Sequence, residues 1–101
     1  MYARLVEVHG STIIDLEKDQ ILIGRREDCD IVLKNQSVSA HHCQLQRAAD
    51  GKWFLKDLGS KNGTWVNGVP VKETEVAIGD EVWFTKHCRY RLEMPHRGSI
   101  A

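Results

Sequence analysis

Short runs of strand-forming residues, each bounded by turn-forming residues, dominate this chain. Val, Ile, Leu, Phe and Trp recur over a few positions at a time, and no stretch keeps apolar residues at helical spacing for three turns. This pattern predicts an all-β sandwich or barrel. The candidate strands are residues 3–8, 12–16, 20–23, 30–33, 42–47, 53–57, 64–66, 69–71, 81–85 and 89–93.

Two dipeptides mark tight turns between candidate strands. Asp50-Gly51 and Asn67-Gly68 each separate two strand-like runs, and both are hairpin signals. Consecutive strands are therefore expected to be antiparallel. Pro70 has no N–H to donate to a sheet ladder, so its strand should be short or lie at an edge.

The chain length allows one folded domain. A chain of 101 residues can bury a modest core but leaves no room for a separate catalytic module. We place the domain at residues 1–94 and expect residues 95–101 to form a tail or the start of a linker. Residues 26–37 contain one short strand candidate among charged and turn-forming residues, which indicates a long connection with a possible functional surface.

Charge and hydropathy limit the classes of partner. The 14 basic and 14 acidic residues give a formal net charge of zero, so no overall field attracts a nucleic-acid backbone or an anionic membrane. No run approaches the roughly 18 apolar residues of a membrane span, and residues 1–4 open no hydrophobic signal segment. We expect no nucleic-acid partner and no membrane partner, so any affinity for phosphate must come from a local site.

The cysteines indicate a reducing environment. Cys29, Cys43 and Cys88 are odd in number and show no CxxC spacing, so they do not resemble a secreted disulfide framework. A cytoplasmic location, or a nuclear one, is expected.

Three short pieces combine residue types that can hold a phosphate. They are residues 24–25, 38–43 and 57–64. Arg25 offers a planar fork of donors and Ser39 a small hydroxyl donor, while residues 60–63 form a donor-rich turn whose glycine permits close backbone approach. Each piece is unspecific alone, and together they indicate a phosphate site.

The order and spacing of these pieces resemble the forkhead-associated (FHA) domain, a family of phosphothreonine-peptide readers. Further matching fragments are residues 21–23, 29–33, 64–68 and 78–82, so the resemblance covers nearly the whole chain. It implies a β-sandwich of two mainly antiparallel sheets with about ten to eleven strands. The binding loops would lie at one end of this sandwich.

The resemblance also implies a function. Residues 1–94 would form a phosphothreonine-dependent protein–protein interaction module in signalling, with no cofactor and no enzymatic activity. Its partner would be a phosphothreonine-containing protein or peptide, phosphorylated by an associated Ser/Thr kinase. The domain would be one module of a larger protein, and the start at Met1 suggests an N-terminal position in it.

Site roles follow from the matching family positions. The resemblance implies that Arg25 and Ser39 bind the phosphate directly, that Ser60 and Lys61 border it, and that Asn62 holds the peptide main chain. An amide suits the last role because it can donate to a carbonyl and accept from an N–H. The residues that the resemblance assigns to loop architecture are Gly24, His42, Asp57, Gly63, Thr64, Asn67 and Gly68.

Position 40 departs from the family pattern, which places a basic or amide residue there. The methyl group of Ala40 cannot donate a hydrogen bond, so one phosphate donor is missing. An alternative function therefore stays open: an FHA-like sandwich with a structural or oligomerising role and weak or no phosphate binding.

Metal binding and covalent catalysis are the remaining alternatives. Neighbouring side chains on a strand face opposite sides, so His41 and Cys43 could share a metal but His42 could not join them, and a structural zinc site normally needs four ligands. A hydrolase using Cys43 or Cys88 with a histidine would lack a recognisable motif and an evident pocket. We predict no metal site and no catalytic residue.

Overall fold

The computed structural model of the protein describes residues 3–95, which form eleven β-strands and no helix. The strands are β1 (Arg4–Glu7), β2 (Ile13–Asp15), β3 (Gln20–Gly24), β4 (Ile31–Val32), β5 (Cys43–Arg47), β6 (Trp53–Asp57), β7 (Thr64–Val66), β8 (Val69–Val71), β9 (Glu73–Val76), β10 (Glu81–Thr85) and β11 (Cys88–Glu93). No helix in the described part of the chain is long and apolar enough to cross a membrane. Of the tail predicted at 95–101, residues 96–101 lie outside the described residues.

The strands form two sheets packed as a β-sandwich. One sheet has the order β2-β1-β11-β10-β7-β8 and the other the order β4-β3-β5-β6-β9. Residues of both sheets share one hydrophobic core, in which Phe84 and Leu92 of the first sheet cluster with Ile23 and Leu45 of the second. The predicted fold class is confirmed, and of the two architectures open from the strand pattern the sandwich is the one observed.

The strands alternate between core and solvent, as the period of a half-buried strand requires. In β6, Trp53 and Leu55 are buried while Phe54 and Lys56 are exposed. Each fully buried leucine, isoleucine or phenylalanine stabilises the fold by about 1.5–3 kcal/mol relative to an exposed side chain. The sandwich therefore provides a rigid base for the loops between its strands.

One strand pair runs against the expected direction. β3 and β4 are parallel, pairing Ile23 with Ile31 and Gly24 with Val32, whereas the expectation for consecutive strands was an antiparallel pair. The connection at residues 25–30 loops back rather than forming a hairpin, and its tight turn is closed by a bond from the Cys29 N–H to the Arg26 carbonyl. β4 is consequently a two-residue edge strand.

The two predicted hairpins are confirmed. β5 and β6 are antiparallel around Asp50-Gly51, and β7 and β8 are antiparallel around Asn67-Gly68. Asn67 has a φ of 51°, a left-handed conformation that asparagine tolerates better than most residues. Pro70 lies in β8, which is three residues long and at the edge of its sheet, as predicted.

Candidate functional site

Three loops meet at one end of the sandwich. The first loop (residues 25–30) joins β3 to β4, the second loop (33–42) joins β4 to β5, and the third loop (58–63) joins β6 to β7. They surround a cavity of about 240 Å³. Its lining residues are Arg25, Gln36, Ser37, Val38, Ser39, Ala40, Lys61 and Asn62.

Gly24 sets the spacing between the first and second loops. A Cβ atom at this buried position would lie 2.1 Å from the Ala40 carbonyl oxygen and 2.9 Å from the Cys29 sulfur. Any other residue would therefore push the two loops apart. The close approach lets the Arg25 N–H donate to the Ser39 carbonyl at 3.0 Å.

The Arg25 side chain is exposed at the cavity. Its Nη1 donates to the Gln36 carbonyl over 3.4 Å, which is a long and weak hydrogen bond. A guanidinium group carries five N–H donors, so most of its capacity remains for a ligand. Arg25 is the strongest phosphate donor that the cavity offers.

The Ser39 hydroxyl is oriented by the third loop. Its Oγ accepts a hydrogen bond from the Lys61 N–H at 2.9 Å, which leaves the hydroxyl hydrogen for another acceptor. Because Ser39 lines the cavity, that hydrogen can reach a phosphate oxygen there. The same bond ties the third loop to the second at Lys61, which also lines the cavity.

His42 lies beneath the loops and joins two of them. It is fully buried, its Nδ1 accepts from the Ser39 N–H at 3.0 Å, and its Nε2 is 2.8 Å from the Gly63 carbonyl. These partners require the neutral tautomer with the hydrogen on Nε2, which then donates to Gly63. Burial lowers the pKa of His42, although the Gly63 bond and the nearby Asp57 carboxylate act in the opposite direction.

Asp57 organises the third loop. One carboxylate oxygen accepts from the N–H groups of Gly59 and Ser60 at 3.1 Å each, and the other accepts from the hydroxyls of Ser60 at 2.5 Å and Thr64 at 2.8 Å. Burial acts to raise the pKa of Asp57, but these hydrogen bonds outweigh it and hold the pKa below its usual value. The charged carboxylate therefore fixes the loop.

Ser60 requires a correction. The family resemblance placed it at the border of the phosphate, but it does not line the cavity, and its hydroxyl donates to Asp57 while accepting from the Gly63 N–H at 3.0 Å. A hydroxyl has one hydrogen, and here it is already used. We reassign Ser60 to loop architecture. Gly63 completes this turn with a φ of 94°, which favours glycine.

Asn62 stands between two cavities. Its Nδ2 donates to the Ser37 carbonyl at 2.9 Å, and the residue is exposed. It lines the 240 Å³ cavity and also a second cavity of about 430 Å³. The second cavity is further lined by Asn35, Ser37, Thr85, Lys86, His87 and the half-buried Trp65. Asn62 is therefore common to the walls of both cavities.

Asn67 and Gly68 lie in the β7–β8 turn and do not line the cavity. The Asn67 amide donates to Asp80 at 3.1 Å and accepts from the Glu81 N–H at 2.9 Å, which ties this turn to β10. The predicted site residues thus separate into a cavity group and a supporting group.

The cavity also contains residues that sequence reasoning missed. Gln36 and Ser37 line it, because the second loop folds back beside Arg25. Loop residues of common types carry no sequence signal for such a position. Ala40 lines the cavity as well, so the position that departs from the family pattern faces the site.

The comparison with protein families agrees with this geometry. The FHA domain model matches residues 21–85, which include all three loops. The chain belongs to the FHA domain family. FHA domains are protein interaction modules, and the two-sheet sandwich described above is their fold.

Similar proteins include a curated relative and two solved FHA structures. The glycogen accumulation regulator GarA of Mycolicibacterium smegmatis is 39% identical over 71 residues, which are 70% of this chain and 44% of that protein. One solved FHA structure is 29% identical, with a TM-score of 0.84 over 95% of this chain and 99% of that one. It is described in terms of phosphothreonine-dependent FHA domain interactions.

The second structure is the FhaA FHA domain complexed with the intracellular domain of Rv3910. It is 28% identical, with a TM-score of 0.81 over 90% of this chain and 99% of that one. This chain spans about half the length of curated relatives such as GarA.

Proposed function

We propose that this FHA domain docks phosphothreonine-containing proteins or peptides by holding the phosphate in the 240 Å³ cavity. The observation that carries the proposal is the convergence of the Arg25 guanidinium, the oriented Ser39 hydroxyl and the Lys61 segment on that cavity. A phosphothreonine carries about −1.5 to −2 charges and three acceptor oxygens, which need a cation with several neutral donors around it.

Each cavity residue has a distinct task in the proposal. Arg25 supplies charge and parallel N–H donors, Ser39 supplies one hydroxyl donor, and Lys61 adds a second positive charge. Asn62 holds the peptide main chain with the amide oxygen and the amide hydrogen not committed to Ser37. The similar structure described in terms of phosphothreonine-dependent interactions supports this assignment.

The domain acts by binding rather than by catalysis. Burial raises the pKa of the Cys43 thiol well above its usual value, so this thiol is a protonated core residue and a poor nucleophile. Burial also raises the pKa of Cys88. These thiols support a role as a binding module, in line with the family.

The wider setting of the proposal is a reducing compartment and a larger protein. Cys29, Cys43 and Cys88 are free thiols, which supports a cytoplasmic or nuclear location. The limited share of relatives that this chain covers supports a module within a longer protein. Its partner would be a protein phosphorylated by an associated Ser/Thr kinase.

A titration with a degenerate peptide library centred on phosphothreonine tests the proposal. We expect micromolar affinity for the phosphothreonine library and no binding of the same library without phosphate. The matched phosphoserine library should bind about fourfold more weakly, because one buried methyl group is worth about 0.8 kcal/mol. Arg25→Ala should remove detectable binding. Arg26→Ala, a neighbouring exposed arginine that does not line the cavity, is the matched control and should retain it.

Ala40 supports a second candidate, a sandwich with a structural or oligomerising role. It lines the cavity without offering a side-chain donor, so the phosphate would have one partner fewer than in the family pattern. No binding of the phosphothreonine library, or equal binding of phosphorylated and unphosphorylated libraries, would favour this candidate over phosphothreonine recognition.

A further inference from the structure

Three potential metal ligands meet outside the phosphate cavity. They come from Asp28 and Cys29 in the first loop and His41 in the second, and one ligand atom from each lies within 4.8 Å of the other two. The His41 Nε2 is 3.0 Å from one Asp28 carboxylate oxygen and 3.1 Å from the other. The Cys29 sulfur is 4.0 Å from an Asp28 oxygen.

We infer that Asp28, Cys29 and His41 form a binding site for a divalent transition-metal ion of the zinc class. Imidazole nitrogen, thiolate sulfur and carboxylate oxygen are the three ligand types that zinc accepts. Bond lengths of about 2.0–2.3 Å place tetrahedral ligands about 3.3–3.8 Å apart, which small side-chain adjustments can reach here. Three protein ligands leave a fourth position for water.

The backbone already holds the ligands in place. The Arg26 N–H donates to the Ala40 carbonyl at 3.3 Å, and the Cys29 N–H donates to the Arg26 carbonyl at 3.1 Å. Gly24 packs against both Ala40 and Cys29. The two loops that supply the ligands are therefore fixed relative to each other before a metal arrives.

Charge and access also suit a divalent cation. The carboxylate and the thiolate together balance the two positive charges of the ion, and the thiol proton passes to the buffer on binding. The side chains of Asp28 and His41 are 59% and 44% exposed, so an ion can approach from solvent, while Cys29 is buried behind them. The bound ion would link the loop that follows Arg25 to the loop that follows Ser39.

The site differs from the metal alternative that the sequence offered. On a continuous strand, residues 41 and 43 would share one face, which would pair His41 with Cys43. β5 begins at Cys43, so His41 precedes the strand and alternation does not govern it. Cys43 is fully buried in the core, and the partners of His41 come instead from a loop 13 residues earlier.

Cobalt titration of the reduced, chelator-treated chain tests the inference. We expect one Co²⁺ per chain with a thiolate-to-cobalt charge-transfer band, which Zn²⁺ displaces. Cys29→Ser should abolish the band, and His41→Ala should weaken the affinity by about tenfold or more, since even residues that only orient a metal ligand cost 10–100-fold. His9→Ala and Cys88→Ser are the matched controls and should leave the titration unchanged.

His41→Ala is the deciding variant because His41 is exposed and its loss should not unfold the domain. Three results would overturn the inference. They are full cobalt affinity in His41→Ala, loss of the charge-transfer band in Cys88→Ser, and no saturable band in the unaltered chain. The titration contains no peptide, so its outcome is independent of whether the domain binds phosphothreonine.

Discussion

Two layers of the binding end are built from different chemistry. The inner layer, formed by His42, Asp57 and Thr64, consists of polar side chains whose hydrogen bonds go to other parts of the protein. The rim, formed by Arg25, Ser39, Lys61 and Asn62, lines the cavity and retains donors for a ligand. Substitutions in the inner layer should therefore change the free energy of unfolding, whereas substitutions in the rim should change peptide affinity.

Replacement of His42 should give the largest effect. His42→Ala leaves the Ser39 N–H and the Gly63 carbonyl without their partner, and each orphaned buried group costs about 1–3 kcal/mol. We expect a loss of about 3 kcal/mol in the free energy of unfolding, or roughly 12 °C or more in the thermal midpoint. His9→Ala, at an exposed position, is the control for calorimetry. An unchanged thermal midpoint in His42→Ala would contradict the assignment of His42 to an inner layer that stabilises the fold.

Ser39 joins the two layers, so its substitution sharpens the division. Ser39→Ala removes a phosphate donor and the acceptor of the Lys61 N–H. A hydrogen bond to a charged group is worth about 1.5–3 kcal/mol, so peptide affinity should fall about tenfold to a hundredfold. The thermal midpoint should fall less than in His42→Ala, because the lost acceptor faces solvent. Ser11→Ala is the control and should leave both quantities unchanged. If Ser39→Ala binds the peptide with unchanged affinity, Ser39 does not contact the phosphate.

Asp57 should make the free energy of unfolding depend on pH in the acid range. Its pKa in the folded protein lies below the ordinary 3.8, so its stabilising effect is complete above about pH 3.8 and is lost as the pH falls through the folded pKa. Asp57→Asn places an amide against the N–H groups of Gly59 and Ser60 and should cost about 1–2 kcal/mol at neutral pH. Urea unfolding at several pH values should show the two proteins converging in acid. A constant difference would argue against a charged Asp57.

Position 40 should give the smallest effect. Ala40→Arg or Ala40→Asn adds a donor at the cavity, where three phosphate oxygens exceed what Arg25 and Ser39 can satisfy. At this solvent-screened rim we expect a gain of about 0.5–1.4 kcal/mol, at most about tenfold in affinity. The Arg variant should lose its advantage as salt is raised, and the Asn variant much less. No gain in either variant, with an intact fold, would mean that position 40 does not face the phosphate.

The sequence predicted strands where apolar runs are dense and failed where they are sparse. β9 went unpredicted because Glu73 and Glu75 face solvent at a sheet edge and only Val76 is buried. Its pairing with β6 depends on contacts that no local pattern encodes. The parallel pairing of β4 likewise depends on the path of the first loop.

The cavity residues were predictable only in part, because some of them depend on contacts between residues that are distant in sequence. The family resemblance placed Arg25, Ser39, Lys61 and Asn62 at positions that line the cavity. It misplaced Ser60, because residue type alone does not reveal that Asp57 binds the serine hydroxyl. The cluster around His41 combines loops distant in sequence, and such a contact becomes visible only in three dimensions.

Trp65 gives the domain an optical property. The three tryptophans occupy distinct settings: Trp53 is buried in the core, Trp83 lies under the Arg89 guanidinium at 3.7 Å, and Trp65 lines the second, 430 Å³ cavity, which Asn62 also lines. A peptide crossing Asn62 would change the polarity around Trp65 while leaving the surroundings of Trp53 unchanged. Intrinsic fluorescence can therefore follow ligand arrival without a label.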